Sequence, residues 1–108
     1  MSQFLPISQT VVLAVGAAAA SITPAAGTQR LSEDQPYCLS NVGSQVVWAQ
    51  IGGTASIPAA GVPSPSTPIM PYDQIILLGP PNTPVSAIAS AAGSDLYVQQ
   101  GAFVRHTY

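Results

Sequence analysis

The sequence contains no lysine, and only six of its 108 residues are charged: Arg30, Glu33, Asp34, Asp73, Asp95 and Arg105. An average soluble domain carries roughly 25% charged residues. No basic cluster exists, and the formal net charge is −2. Binding to nucleic acid needs Lys and Arg to displace phosphate counterions, and attraction to an anionic membrane makes the same demand. Neither partner is therefore expected. A freely diffusing monomer keeps charge for solubility. A chain held in an assembly needs less, and a surface of Ser, Thr, Gln and Asn can also serve.

Chemistry-bearing residues are equally scarce. The single cysteine, Cys38, excludes a disulfide within the chain. Its neighbours Pro36-Tyr37 and Leu39-Ser40 read as strand, so a buried, inert thiol is expected. One cysteine and one histidine, His106, cannot build a zinc site. No serine lies in a nucleophile motif, and the glycines form no phosphate loop. Glu33 and Asp34 are adjacent in a solvated loop. Asp73 and Asp95 sit at strand starts, where Asp is ordinary turn chemistry. The expectation is no catalytic residue, no cofactor, no metal and no enzyme activity.

Helix-length runs are missing too. Eleven prolines and nine glycines cut the chain into short segments. Ala17–Ala20 has helix propensity but is too short to use it. The segments between turns are apolar and β-branched, and apolar residues make up 47% of the chain. This pattern predicts one all-β domain, a small antiparallel sandwich or barrel of about seven or eight short strands.

Residues 1–9 read as an extended arm, residues 10–101 as the β-domain and residues 102–108 as an aromatic tail. Strands are predicted at Thr10–Val15, Ala19–Thr23, Tyr37–Ser40, Gln45–Ile51, Asp73–Leu78, Val85–Ala89 and Asp95–Gln100, with a further short one at Thr28–Leu31. Asn41–Ser44 reads as a turn, making the strands on either side a hairpin. Asp73–Leu78 reads as a buried strand, and Gly101 closes the last one. In Gln45–Ile51, Val47, Ala49 and Ile51 alternate with Val46, Trp48 and Gln50. Residues 58–71 hold five of the prolines, too many for an interior strand. They are expected to run extended over the surface and carry the chain from one sheet to the other, or to form a binding loop. Val11–Ala20 has some character of a signal-peptide core, but no basic residue precedes it, and it is short for a membrane span.

With no chemical site, the informative residues are candidate anchors for subunit contacts. These are Phe4, Leu5 and Ile7 in the arm, Trp48 (otherwise a core residue), Ile69 and Met70 in the proline-rich run, and Phe103, Val104, Arg105 and Tyr108 in the tail.

The succession of a strand, PAAGTQRL, a strand, SNVGSQVVWAQIG, a proline-rich loop, a strand and GPPNTPVSAIASAAGSDLYVQQG resembles small virion proteins of tailed bacteriophages. The elements that carry the likeness are Leu39–Val42, Gln45–Gly52, Pro63–Pro71, Ser86–Ala89 and Leu96–Gly101. The likeness spans residues 10–101, with Thr28–Tyr37 as an insertion that holds much of the charge. It implies a β-sandwich virion component assembled in a host cytoplasm. The role implied is a capsid decoration or cementing protein, commonly a trimer, contacting itself and the major capsid protein. A neck or tail adaptor is the alternative within the virion. A secreted bacterial surface or adhesive domain, with residues 1–20 as signal peptide, is the alternative of another class.

Overall fold

The computed structural model describes residues 2–6, 9–24, 35–80 and 82–105, with the side chains of 2–6 and 102–105 outside the description. Nine strands are present among the described residues, and no helix. They are β1 (Ser2–Pro6), β2 (Val11–Val15), β3 (Ala20–Ile22), β4 (Gln35–Gly43), β5 (Val47–Ile51), β6 (Thr67–Ile69), β7 (Gln74–Gly79), β8 (Val85–Ile88) and β9 (Ser94–Arg105).

The strands pair as one long hairpin whose tip is the loop at residues 52–66. Nearest the tip, Val47 of β5 faces Ile69 of β6. Moving away from it, Tyr37 faces Leu77, Ala20 faces Ala87, Leu13 faces Leu96 and Phe4 faces Phe103. Rolling this hairpin adds two further pairings, β4 with β9 and β5 with β8. The result is two antiparallel sheets. One has the order β2-β9-β4-β7, with β1 also on β9, and the other has the order β3-β8-β5-β6. Setting β1 aside, this is the eight-stranded jelly-roll order, an open double-sheet sandwich and not a closed barrel.

The core lies between the sheets, where period-two alternation turns one set of side chains inward. The first sheet contributes Leu13, Val15, Tyr37, Leu39, Leu96 and Val98, and the second Val47, Ala49, Ile69, Val85 and Ala87. The first sheet thus supplies most of the larger side chains and the second mostly Val and Ala, packed into one core.

Short loops gather at one end of the sandwich. There Ala89 N–H donates to Gly16 O at 2.9 Å and Ser44 N–H to Gly93 O at 3.4 Å. Gly43 is required at this end because a Cβ on it would lie 2.3 Å from the Gly93 carbonyl oxygen. The opposite end carries the loops at residues 52–66 and 80–84. Tyr37 pins the second of these: its hydroxyl donates to Pro80 O and accepts Thr83 N–H at 3.1 Å. Gln100 adds a bond from Asn82 N–H to its Oε1 at 2.7 Å.

Several expectations are corrected. β4 runs through Asn41 to Gly43, and β4 and β5 lie in different sheets and form no hairpin. Asn favours turns, which is why the sequence around Asn41 reads as one. Its amide is instead buried and spent on three carbonyls, those of Gln45, Ile69 and Met70 at 2.7, 2.9 and 3.2 Å. Most of the proline-rich run does not carry the chain between sheets; only its last two residues, Met70 and Pro71, belong to the crossing. It returns as β6 beside β5, and the crossing follows at residues 70–73. Pro68 is tolerated because β6 is an edge strand.

The loop at residues 52–66 is also tied down by serines. Ser86 Oγ accepts Ala55 N–H at 2.9 Å and Ser66 Oγ accepts Ser56 N–H at 3.0 Å. β7 is an edge strand with exposed residues, not a buried one. β9 does not end at Gly101; it continues to Arg105 against β1. Thr28–Leu31 lies outside the described residues.

Candidate functional site

The residues with chemical potential are dispersed. Cys38 is buried on β4 beside Gln74 Nε2, and is free. Asp73 is exposed before β7, where its Oδ1 accepts Gln74 N–H at 2.8 Å. Asp95 is exposed on β9, opposite Ala14 and Val42. Among the described residues, no three His, Cys, Asp or Glu side chains gather as a metal-binding group. Glu33, Asp34 and His106 lie outside the described residues. A cleft of about 200 Å³ lies between β7 and the β5–β6 edge, lined by Ala49, Gln50, Ile51, Pro65, Thr67, Leu77 and Leu78. Small-molecule sites usually measure about 300–1,000 Å³, so this cleft is undersized for one.

The unusual surface is the outward face of the first sheet. Alternation that points Leu13, Leu39 and Leu96 inward points their neighbours outward. Exposed there are Val12 (48%), Tyr97 (38%), Val42 (45%), Ile76 (43%) and Leu78 (60%). The strand register sets them in two groups: Val12 faces Tyr97, with Val42 one row on, while Ile76 stands across from Cys38 with Leu78 beyond it on β7, and Ser40, Gln74 and Gln99 lie between the groups. Asp95 is the one charged side chain on this face among the described residues. Monomeric soluble proteins rarely expose a large contiguous apolar patch, and such patches commonly mark interaction sites.

The edge of this sheet at β7 is open as well. Asn41 N–H donates to Asp73 O at 2.9 Å, which sets the alternation along β7. Residues 75, 77 and 79 therefore bond to β4, and Gln74, Ile76 and Leu78 aim their backbone groups outward. Among the described residues, the N–H and C=O of Ile76 and Leu78 meet no partner. Natural edge strands are usually blunted by lysine, proline or a bulge. β7, with sequence QIILLG, carries neither charge nor proline.

No protein-family model, curated protein or solved structure matches this chain.

The anchors expected from sequence are scattered over this architecture. The backbones of Phe4 and Leu5 pair with Phe103 and Ala102, and those of Val104 and Arg105 with Gln3 and Ser2. Arm and tail thus lie side by side. Ile7 and Tyr108 fall outside the described residues. Trp48 is half-buried on the outward face of the second sheet, between Pro68 and Ile88, and not in the core. Ile69 is fully buried in the core, so its side chain is not offered to a partner, whereas Met70 is exposed.

Sequence reasoning missed Val12, Val42, Tyr72, Ile76, Leu78 and Tyr97. The signal for Tyr72 lay in its turn, Pro71-Tyr72-Asp73. Its φ is 59°, a conformation that costs a non-glycine residue about 1–2 kcal/mol. Among the described residues it is also the most exposed large hydrophobic side chain, at 76%.

Proposed function

We propose that this chain is a non-catalytic structural protein of a tailed-bacteriophage virion, a decoration or cementing subunit that stabilises the assembled shell. The observation that carries the reading is the strand order β2-β9-β4-β7 over β3-β8-β5-β6. That order is the jelly roll, which capsid domains use, as do lectins and cupins. Fold alone does not assign function, so the surface must separate these readings. A cupin or lectin reading calls for a polar or metal-bearing site. The accessible surface here is a sheet face of mixed polar and exposed apolar residues with, among the described residues, an open edge, suited to protein contacts. The likeness of residues 10–101 to small virion proteins points the same way.

The mechanism is linkage. A subunit that binds only the assembled shell stabilises that shell in proportion to its occupancy. Near-absence of charge suits a chain whose surface is covered by neighbours, since fewer ions must be desolvated.

The secreted alternative is disfavoured because cleavage after residue 20 removes β2. That strand supplies Leu13 and Val15 to the core and pairs β9 over five residues. Electron cryo-microscopy of purified particles tests the proposal. Density for this fold repeated over the shell supports decoration, a ring at the neck or tail supports the adaptor alternative, and particles without the protein refute a virion role.

A further inference from the structure

We propose that the open edge of β7 pairs antiparallel with β7 of a second copy of this chain, about a twofold axis at Ile76. This names a partner for the assembly surface and rests on that reading.

The groups left open on this edge are a backbone pattern, which another extended backbone fits best. The N–H groups and carbonyls of Ile76 and Leu78 and the Gln74 carbonyl point outward, while Gln74 N–H is taken by Asp73 Oδ1. With Ile76 opposite Ile76 of the second copy, Gln74 faces Leu78 and Ile75 faces Leu77. Ile76 N–H then donates to the Ile76 carbonyl, and Leu78 N–H to the Gln74 carbonyl. Symmetry makes each bond twice, and the occupied Gln74 N–H is not needed.

Side chains agree with the same register. Residues directly opposite share a face, so Ile75 of the second copy comes beside Leu77, at the mouth of the cleft that Leu77 and Leu78 line. On the outward face, the Ile76 and Leu78 side chains of both copies merge into one apolar row. The strand holds no charge to repel its copy. Antiparallel pairing puts the two Asp73 residues about 20 Å apart at the rise of an extended strand, well beyond screening range. Parallel pairing would set them side by side.

The other edges are less suitable. β6 and β3 span three residues each, and β6 holds Pro68. On the opposite side two strands, β1 and β2, share β9, and the Gly16 carbonyl at the end of β2 is already taken by Ala89 N–H. A twofold pair is closed and cannot propagate, and it differs from the trimer that the virion resemblance implies.

A single short strand pair is smaller than a standard interface, so the dimer is concentration-dependent. The test is sedimentation velocity and light scattering across a concentration series, with amide exchange measured alongside. The expected result is a dimer whose formation slows exchange at Ile76 and Leu78. Ile76→Lys and, separately, Leu78→Lys should raise the dissociation constant by about a hundredfold or more, while Val12→Lys leaves it unchanged. Both β7 substitutions sit at exposed positions, and circular dichroism checks that they fold.

A monomer at every concentration overturns the proposal. So does an oligomer, trimer included, that tolerates both β7 substitutions without protection of these amides, or a monomer whose edge binds only an unrelated extended peptide. Particle attachment is scored separately. A β7 dimer absent from virions refutes the virion role alone, and a virion-bound protein that stays monomeric refutes the pairing alone.

Discussion

Replacing Asn41 is the sharpest test of what holds the two sheets together. Its side chain is 1% exposed. Its Nδ2 reaches Gln45 O at 2.7 Å, Ile69 O at 2.9 Å and Met70 O at 3.2 Å. One primary amide from β4 thereby clamps the β4–β5 connection, the end of β6 and the turn leading to β7. An amide nitrogen has two hydrogens, so it makes two full bonds, with the third carbonyl sharing. At about 0.5–1.5 kcal/mol per bond, Asn41→Ala should cost about 1–3 kcal/mol. The loss is moderated because Gln45 O keeps Ser94 Oγ at 3.1 Å and Met70 O keeps Asp73 N–H at 3.1 Å. For a domain near 100 residues, about 2 kcal/mol lowers the Tm by about 8–16 °C.

Asn41→Asp is the discriminating variant. It keeps the shape and replaces the donors with a carboxylate beside three carbonyl oxygens. A buried, unpaired carboxylate costs about 3 kcal/mol or more, so Asp should be worse than Ala at neutral pH. Its folded-state pKa should lie above the unfolded value, because burial and the carbonyls favour the protonated form. The penalty therefore appears above the unfolded pKa and shrinks as pH falls. Urea and thermal melts of the three proteins between acid and neutral pH measure this. Equal stability of Asn41→Ala and wild type, or an Asp variant no worse than Ala at neutral pH, refutes the clamp.

Tyr37→Phe removes the hydroxyl that holds Pro80 and Thr83; a loss of about 1–2 kcal/mol is expected, with faster amide exchange confined to the 80–84 loop. Gly43→Ala forces a methyl to within 2.3 Å of the Gly93 carbonyl oxygen, and a loss of about 1–3 kcal/mol on thermal melting is the expected outcome. Tyr72→Gly should raise the melting temperature of the isolated domain, because it relieves a left-handed residue at φ 59°. If Tyr72 is kept for contact, the same change weakens attachment to particles in a co-sedimentation assay. Deleting residues 1–8 removes β1 but leaves every core residue among the described side chains in place; the domain should stay folded by circular dichroism and attach less well.

The all-β class was legible because it depends on local facts. Prolines and glycines forbid long helices, and alternation such as Val47-Trp48-Ala49 gives a strand two faces whatever it packs against. The scarcity of chemistry-bearing residues was legible for the same reason: one His, one Cys and no Lys are counts, and packing cannot change them. Partner choice among strands was not local. Asn41-Val42-Gly43-Ser44 has the composition of a hairpin turn, yet the true tip lies at residues 52–66, and that pairing puts Leu13, Tyr37, Leu96, Val47 and Val85 in one core. Asp73–Leu78 reads as a buried strand, since its four apolar residues in a row fit burial on both faces. Its place at an open edge follows from which strands remain to flank β4 once the hairpin has rolled. Composition alone set the all-β class and the small stock of ionisable and nucleophilic side chains. Which apolar residues became core and which became contact surface was decided by tertiary structure, because burial is a property of neighbours and not of the residue.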